Sequence, residues 1–433
     1  MHVLVIGGGI GGLCLAQGLK KAGVSVAVYE RDRTRTDRLQ GYRIHISPAG
    51  SRALHECLPP DLFDTFVATT GRSEGGFTFF TEQLRPLLRI AGSDLPVATD
   101  PANDHHSVSR ITLRQVLLAG LDDVVHFDQK FVRYEQHPDG TVTAYFEDGS
   151  QATGDVLVAA DGGRSQVRRQ YLPHAERVDT GIAGIAGKLP LTDETWPLVP
   201  QLLRRGAAFV SAAPGGHAMF LAVQEFDRQR IRVPAGRIGG DDAAAELHPG
   251  LLFDNTSDYL MWGFTTLRER YPEPHLESLD NEALQRLTLR MIDGWHPDLR
   301  RLVAESDPST VALLPIHTAT PVDPWPTSNI TLVGDAIHSM TPFQGIGANT
   351  ALRDAALLCQ RLAAAHRGDL PLLPAISEYE SQMRDYGFDA VRRSLTTARQ
   401  ATSDSVLARF AGRTFFRLVD RIPPMKRGFI TDV

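Results

Sequence analysis

The segment Gly7-Gly8-Gly9-Ile10-Gly11-Gly12 constrains this chain more than any other. It follows His2–Ile6, a short β-branched apolar run of the kind a strand buried on both faces requires. Residues 13–22 then alternate apolar and polar at helical spacing, and Gly23 is placed to end the helix. Val24–Tyr29 reads as a second strand with Glu30 at its end. In this strand–turn–helix–strand unit Gly7 permits a tight turn. Gly9 lets a pyrophosphate approach the main chain, and Gly12 lets the helix sit close to the strand. The helix N-terminus offers free N–H groups to phosphate. Glu30, 18 residues beyond Gly12, is placed to accept hydrogen bonds from a ribose, with Arg31 beside it. The expectation is a dinucleotide site; this motif alone does not separate FAD from NAD.

A second constellation begins at Ile330-Thr-Leu-Val-Gly334, which reads as another buried strand. Asp335 follows directly, where an acid can hold a sugar-alcohol hydroxyl. Pro342, Gly345, Gly347, Ala348 and Asn349 then lead into a helical segment through Leu362. The two glycines allow a flat ring to lie near the main chain. A helix opening there aims its N–H groups at an electron-rich ring edge and favours its reduced, anionic form. Between the two constellations lies Leu157-Val-Ala-Ala-Asp161-Gly162-Gly-Arg164-Ser165-Gln-Val167-Arg168.

Together these segments resemble the motifs of the class A flavoprotein monooxygenases, the para-hydroxybenzoate hydroxylase family. The first is the dinucleotide fingerprint, the middle one the DG motif, and Gly334-Asp335-Ala-Ile-His338 with Pro342 to Asn349 the second FAD motif. The chain is most similar in flavour to the tetracycline-inactivating members. Arg110 matches an arginine that contacts FAD, Arg38 one near the dinucleotide or NADPH path, and Tyr379 to Gly387 the C-terminal helix. Ile337 stands where the family places alanine, and His45, with Arg43 nearby, where it places a carboxylate near the ring. Arg43, His45 and Pro342 are therefore the flavin-proximal candidates.

The resemblance implies an α/β fold. A Rossmann-like FAD-binding domain (1–72, 101–178 and 275–370) is interleaved with an antiparallel-sheet substrate domain (73–100 and 179–274). Helices follow over 371–433. It also implies FAD as the cofactor and NAD(P)H as a transient co-substrate. Oxygen would be carried as a flavin C4a-hydroperoxide and delivered to an aromatic or polycyclic small molecule. Gly181, Gly184 and Gly187 have the wrong spacing for a second nucleotide fingerprint, which fits transient NAD(P)H contact. The period-2 pattern of 141–146 and 218–223 independently reads as sheet, and 234–250 as a loop. A dehydrogenase or oxidase without oxygen insertion and a flavin-binding sensor remain the competing readings; the WxWxIP pattern of flavin halogenases is absent.

With 45 Lys and Arg against 51 Asp and Glu, the net charge of −6 gives no drive toward nucleic acid. The three cysteines, far apart in sequence, read as buried or incidental thiols of a reducing compartment. No apolar run approaches the ~18 residues of a membrane span. The N-terminus lacks a secretory pattern, so a cytoplasmic protein, monomer or weak homodimer, is expected. His105-His106 has no further ligand at zinc spacing, so no metal is expected. His338 reads as a packed residue rather than a catalytic one. Phe209, Phe220, Trp262 and Phe264 are candidates for an aromatic substrate pocket, although core packing accounts for any one of them. Arg409, Arg413, Arg417 and Arg421 recur every four residues among Phe410, Phe415, Phe416 and Leu418. A solvated helix face is the default for them, with membrane-surface or partner binding as the alternative.

Overall fold

The computed structural model describes residues 1–34, 42–72, 76–94, 98–204, 206–212, 215–226 and 258–426. Arg38 and the segment 234–250 lie outside the described residues.

A five-stranded sheet carries the nucleotide-binding half. It comprises β1 (His2–Ile6), β2 (Ser25–Tyr29), β8 (Val125–His126), β12 (Val156–Ala159) and β18 (Ile330–Leu332), in the order β18-β12-β1-β2-β8. Every pairing in it is parallel. β1, β12 and β18 are covered on both faces and almost wholly buried, which is why their sequences are continuous Val, Leu and Ile rather than alternating. Helices α1 (Ile10–Lys21), α2 (Pro48–Cys57), α3 (Pro60–Ala68), α4 (Arg110–Leu118) and α5 (Gln166–Tyr171) belong to this half. A small antiparallel sheet of β9 (Phe131–Gln136), β10 (Val142–Phe146) and β11 (Gln151–Gly154) adjoins it. β11 is a hairpin arm of the small sheet, and β12, directly after it, is a strand of the core sheet. A two-stranded pair, β3 (Arg43–Ile46) with β7 (His106–Ser109), stands beside the first glycine turn.

The second half is a large sheet in the order β17-β13-β16-β15-β14-β5-β6, with β4 (Gly71–Arg72) paired to β15. Its strands are β5 (Gly76–Thr81), β6 (Pro86–Ala91), β13 (Arg177–Pro190), β14 (Ala207–Ser211), β15 (Ala218–Phe226), β16 (Tyr259–Leu267) and β17 (Asp307–Ala319). Helices α6 (Asn281–Met291) and α7 (Pro297–Ala304) fall within the span expected to join the nucleotide-binding core. Their apolar residues Leu284, Leu287, Leu299 and Leu302 instead share one buried cluster with Trp262, Phe264 and Leu260 of the large sheet. The amphipathic stripe of a helix does not say which sheet it will cover, and here it covers the second one.

The remaining helices are α8 (Asp335–His338), α9 (Gly347–Arg367), α10 (Leu372–Ala401) and α11 (Val406–Arg421). Ile376, Tyr379, Met383 and Val391 of α10 complete the first core, and the Tyr379 hydroxyl donates to the Leu332 carbonyl at 2.8 Å. The three cysteines converge: a Cβ on Gly18 would sit 2.8 Å from the Cys359 sulfur and 3.1 Å from that of Cys57, and Cys14 is buried in the same core. No described helix is long and apolar enough to cross a membrane.

Candidate functional site

The first glycine turn has the geometry its residues imply. Gly7 adopts φ +111°, and a Cβ there would lie 2.4 Å from the Ala160 carbonyl oxygen. A Cβ on Gly12 would lie 2.3 Å from the Gly7 carbonyl oxygen, so only glycine lets α1 seat on β1 and β12. Gly9 is different. A Cβ there would meet nothing within 4 Å, so its near side opens onto space at the uncapped N-terminus of α1. Glu30 is buried at the end of β2. Its Oε2 accepts from the Gly8 N–H at 2.6 Å and its Oε1 from the Asp32 N–H at 2.9 Å. Arg31 is exposed beside it. A residue not singled out from the sequence, Arg114, is buried behind the turn, where its Nε donates to the Gly8 carbonyl at 3.2 Å. Its partner lies 106 positions away, so no local pattern marks it.

Two further acids stand at the ends of neighbouring strands. Asp161 follows β12; its Oδ2 accepts from the Gln166 N–H at 2.7 Å, while Oδ1 is buried with no hydrogen-bond partner among the described residues. Burial raises its carboxyl above the usual range despite these N–H and hydroxyl donors. Asp335 follows β18. It retains solvent-accessible surface, yet desolvation raises its carboxyl against the opposing pull of His338, Arg177 and Arg110. Open to solvent but ringed by protein, it has the setting of a cleft floor. Arg110, within electrostatic reach, packs its guanidinium over Tyr42. Arg168 ties the two acidic turns together, donating to the Ala336 carbonyl at 2.7 Å and the Gly163 carbonyl at 3.2 Å. Arg177 donates to Ser339 Oγ at 3.2 Å.

His338 is buried, and its Nε2 donates to Asp354 Oδ2 at 2.6 Å. Asp354 also accepts from the Gly334 N–H and from the Tyr386 hydroxyl, each at 2.6 Å. This network holds the turn that presents Asp335, so His338 acts on the site through the backbone.

The second glycine loop runs from Pro342, exposed at the start of a single turn, to Gly345 at φ +63°. Gly347, Ala348 and Asn349 then open α9. The Asn349 side chain is engaged at both ends. Its Oδ1 accepts from the Ser47 N–H at 2.8 Å, and its Nδ2 donates to the His45 carbonyl at 2.9 Å and the Gly345 carbonyl at 3.3 Å. It is thus a clamp between β3 and the loop, and only its main chain is available to a ligand. The helices that follow the two glycine turns meet at their first turns: a Cβ on Gly11 would lie 3.3 Å from that of Ala351 in α9.

β3 brings Arg43 and His45 to this junction. Arg43 has a buried Nε with no hydrogen-bond partner among the described residues, and burial pushes its guanidinium down to about 10. His45 stacks on His105, with Nε2 3.0 Å from His105 Nδ1. Burial, then Arg43, His105 and His106, push His45 down to about 3, so it is neutral throughout the physiological range. The unfolded chain, with an ordinary imidazole near 6.5, therefore takes up this proton first as pH falls. Stability contributed at neutral pH is lost from about pH 6.5 toward 3. Thermal melts of wild type and His45→Gln between pH 7 and 5 are expected to show the shallower acid-side decline in the variant; parallel declines would contradict it.

The four aromatic candidates divide between the two faces of the large sheet. Trp262 and Phe264 do share a face, but it turns away from the loop. Both are fully buried against α6 and α7, and Trp262 Nε1 donates to Ser306 Oγ at 2.8 Å. They are core, which corrects the pocket expectation for them. The opposite face carries Leu267, which, like Phe343 of the second loop, packs against the cluster of Ile182, Ile316 and Ala398. Phe209 and Phe220, in register with Gly263 of β16, lie half-buried on that same face.

A parallel sheet with turns and acids at its carboxyl edge, beside a largely antiparallel sheet in which only β14 and β5 pair in parallel among the described strands, has the architecture of the flavin- and nucleotide-binding folds. Residues 1–238 and 279–394 match the FAD binding domain family, and the chain belongs to it, among the class A flavin monooxygenases. It is 33% identical over 399 residues to a dual O-methyltransferase/FAD-dependent monooxygenase of Cercospora beticola, covering 88% of this chain and 44% of the relative. The chain thus spans about half the length of the first curated relatives it matches. It is 28% identical to the FAD-dependent urate hydroxylase of Klebsiella pneumoniae, covering 91% of this chain and 88% of that one. A solved Photorhabdus luminescens protein, described as an FAD containing monooxygenase, is 36% identical with a TM-score of 0.79, covering 93% and 98% of the two chains.

Proposed function

We propose that this chain is an FAD-dependent monooxygenase that consumes NAD(P)H and inserts one oxygen atom from O2 into an electron-rich aromatic or polycyclic small molecule. The observation that carries this reading is the convergence at one edge. The Gly7–Gly12 turn, Glu30, Asp161 and Asp335 end four strands that are neighbours in one sheet, and the helices that follow the two glycine turns meet at their first turns. The open side of Gly9 and the unpaired Oδ1 of Asp161 fit a bound dinucleotide.

In this reading the Gly7–Gly12 backbone and the α1 N-terminus receive the pyrophosphate, and Glu30 the adenosine ribose, with Arg31 beside it. Asp335, with Arg110 near it, holds the ribityl chain, and Asp161 supports the same cleft. Pro342 and the Gly345, Gly347 and Ala348 backbone line the reactive ring edge. The reduced flavin supplies the electrons that activate dioxygen. The protein orients the substrate and excludes water. Phe209 and Phe220 provide an apolar floor on the loop-facing side of the sheet, with Arg43 and neutral His45 as polar contacts. The chain divides, we infer, into a nucleotide-binding unit and a sheet unit that includes α6 and α7. Urate, a flat electron-rich heterocycle in the name of one relative, supports the substrate class. The methyltransferase joined to the monooxygenase in the fungal relatives supports hydroxylation, since a new hydroxyl is a methyl acceptor.

Incubating the FAD-loaded protein with NAD(P)H, isotopically labelled dioxygen and a panel of phenols, indoles and polycyclic aromatics tests this. One product carrying a single labelled oxygen is expected, with stimulated NAD(P)H consumption. Substrate oxidation without label would establish a dehydrogenase or oxidase instead. No substrate-stimulated consumption across the panel would favour a flavin-binding sensor.

A further inference from the structure

Most large apolar residues left exposed on the described structure gather in one place. Leu407, Phe410, Phe415 and Leu418 of α11, with Ile422 and Met425 just beyond it, are all exposed, Leu407 by 83% and Phe410 by 71%. Five other such residues are scattered over the rest of the described chain. At 100° per residue the four on α11 fall on one side of the helix, a strip roughly 16 Å long, with Ile422 and Met425 following its end. The opposite side is already used. Phe416 stacks on Phe79 at 4.4 Å, Val419 is buried with Leu88 and Ile90 of β6, and Arg413 pairs with Glu82. The inner face of α11 is thus engaged, while among the described residues its apolar outer strip has no covering element. The solvated helix face expected from the arginine spacing is present, with Arg417 and Arg421 exposed, but it also carries this apolar strip.

The occupant is indicated by charge. The chain is acidic overall, at −6, yet α11 concentrates arginines. Arg417 and Arg421 are exposed along the flank of the strip. A second copy paired two-fold through this helix would bring those arginines against their own counterparts and bury them. An anionic bilayer surface accepts both features at once. The apolar strip enters the acyl boundary, and the arginines reach the phosphates from its edge. We propose that α11 docks this protein peripherally on anionic membrane surfaces. The helix rests on the β5–β6 edge of the sheet whose open face carries Phe209 and Phe220, so docking would set the substrate side of the molecule beside a store of apolar small molecules. The docking claim itself does not depend on the proposed oxygenation.

The test is co-sedimentation of the purified FAD-loaded protein with phosphatidylcholine vesicles and with equimolar phosphatidylcholine–phosphatidylglycerol vesicles. Binding to the anionic vesicles is expected, weakening as salt rises. Arg417→Gln and Arg421→Gln should each weaken it about fivefold, and Phe410→Ser with Phe415→Ser should abolish it. All three should retain the wild-type flavin content and melting temperature, because Phe416, Val419 and Arg413, which hold the packed side, are unchanged. Leu202→Ser, at an exposed apolar residue elsewhere, should bind as wild type. No sedimentation with anionic vesicles would overturn the proposal, as would equal binding to both vesicle types or binding indifferent to all the α11 substitutions. A concentration-dependent dimer in light scattering that Phe410→Ser with Phe415→Ser abolishes, without vesicle binding, would assign the strip to a second copy and overturn it too.

Discussion

Gly9→Val is expected to give a folded but colourless protein. A Cβ at this position meets no protein atom within 4 Å, so the chain has no reason to resist the side chain. The space it fills is that into which the α1 N-terminus directs its free N–H groups, and the added methyls displace a pyrophosphate from it. Loss of FAD affinity by at least about a hundredfold, or roughly 3 kcal/mol, is expected. Circular dichroism and the apoprotein melting temperature should stay at wild-type values. Gly12→Val is the contrasting case. Its Cβ would stand 2.3 Å from the Gly7 carbonyl oxygen and 2.9 Å from the Ala160 Cβ, so α1 must lift from the sheet. That variant should melt well below wild type even as apoprotein. Flavin-to-protein absorbance ratios and melts of both variants decide the matter; stoichiometric FAD in Gly9→Val would remove the dinucleotide assignment of the turn.

Asp354→Ala is expected to cost about 3–5 kcal/mol, because it strips a buried carboxylate from three donors at once. The Gly334 N–H, His338 Nε2 and the Tyr386 hydroxyl would all lose their acceptor. The turn presenting Asp335 would loosen, so FAD retention should fall with stability although Asp354 lies behind the cleft. The pH dependence has a definite sign. Burial opposes charge on His338, but Asp354, by charge and hydrogen bond, outweighs it and holds the imidazole above its ordinary value of 6.5. This contribution is therefore complete below pH 6.5 and lost as pH rises through the raised value. Wild-type melting temperature should fall on the alkaline side, and Asp354→Asn should lack that limb. The His45 contribution runs the other way, lost as pH falls, so the two variants separate the effects.

The parts of the site legible in the sequence are those whose constraint is local. Gly7 needs positive φ, and Gly12 needs close approach within its own βαβ unit; both demands are made by residues a few positions apart. The acids Glu30, Asp161 and Asp335 were legible because each lies within three residues of the end of a strand whose apolar run announces it. The limits appeared where partners are remote. Arg114 holds a backbone carbonyl 106 positions away and carries no mark that separates it from any surface arginine; Arg168 closes the DG motif, but nothing there shows that it reaches a carbonyl 168 positions away. Asn349 matched the second motif, but that it spends its side chain on His45 and Ser47 emerges only when β3 is laid against α9.

Sequence by itself determined the nucleotide-binding sheet, its glycine turns and the cofactor class. Backbone conformation and strand burial are set by near neighbours, and those leave a periodic or glycine signature. Tertiary structure alone decided which side of the large sheet meets the second loop, placing Phe209 and Phe220 toward it and Trp262 and Phe264 in the core. It also decided that α6 and α7 cover that sheet, that Cys14, Cys57 and Cys359 share one core, and that the apolar side of α11 turns outward. Alternation shows that two faces differ but not which partner each will find, because that choice depends on the shape and burial offered by segments hundreds of residues away.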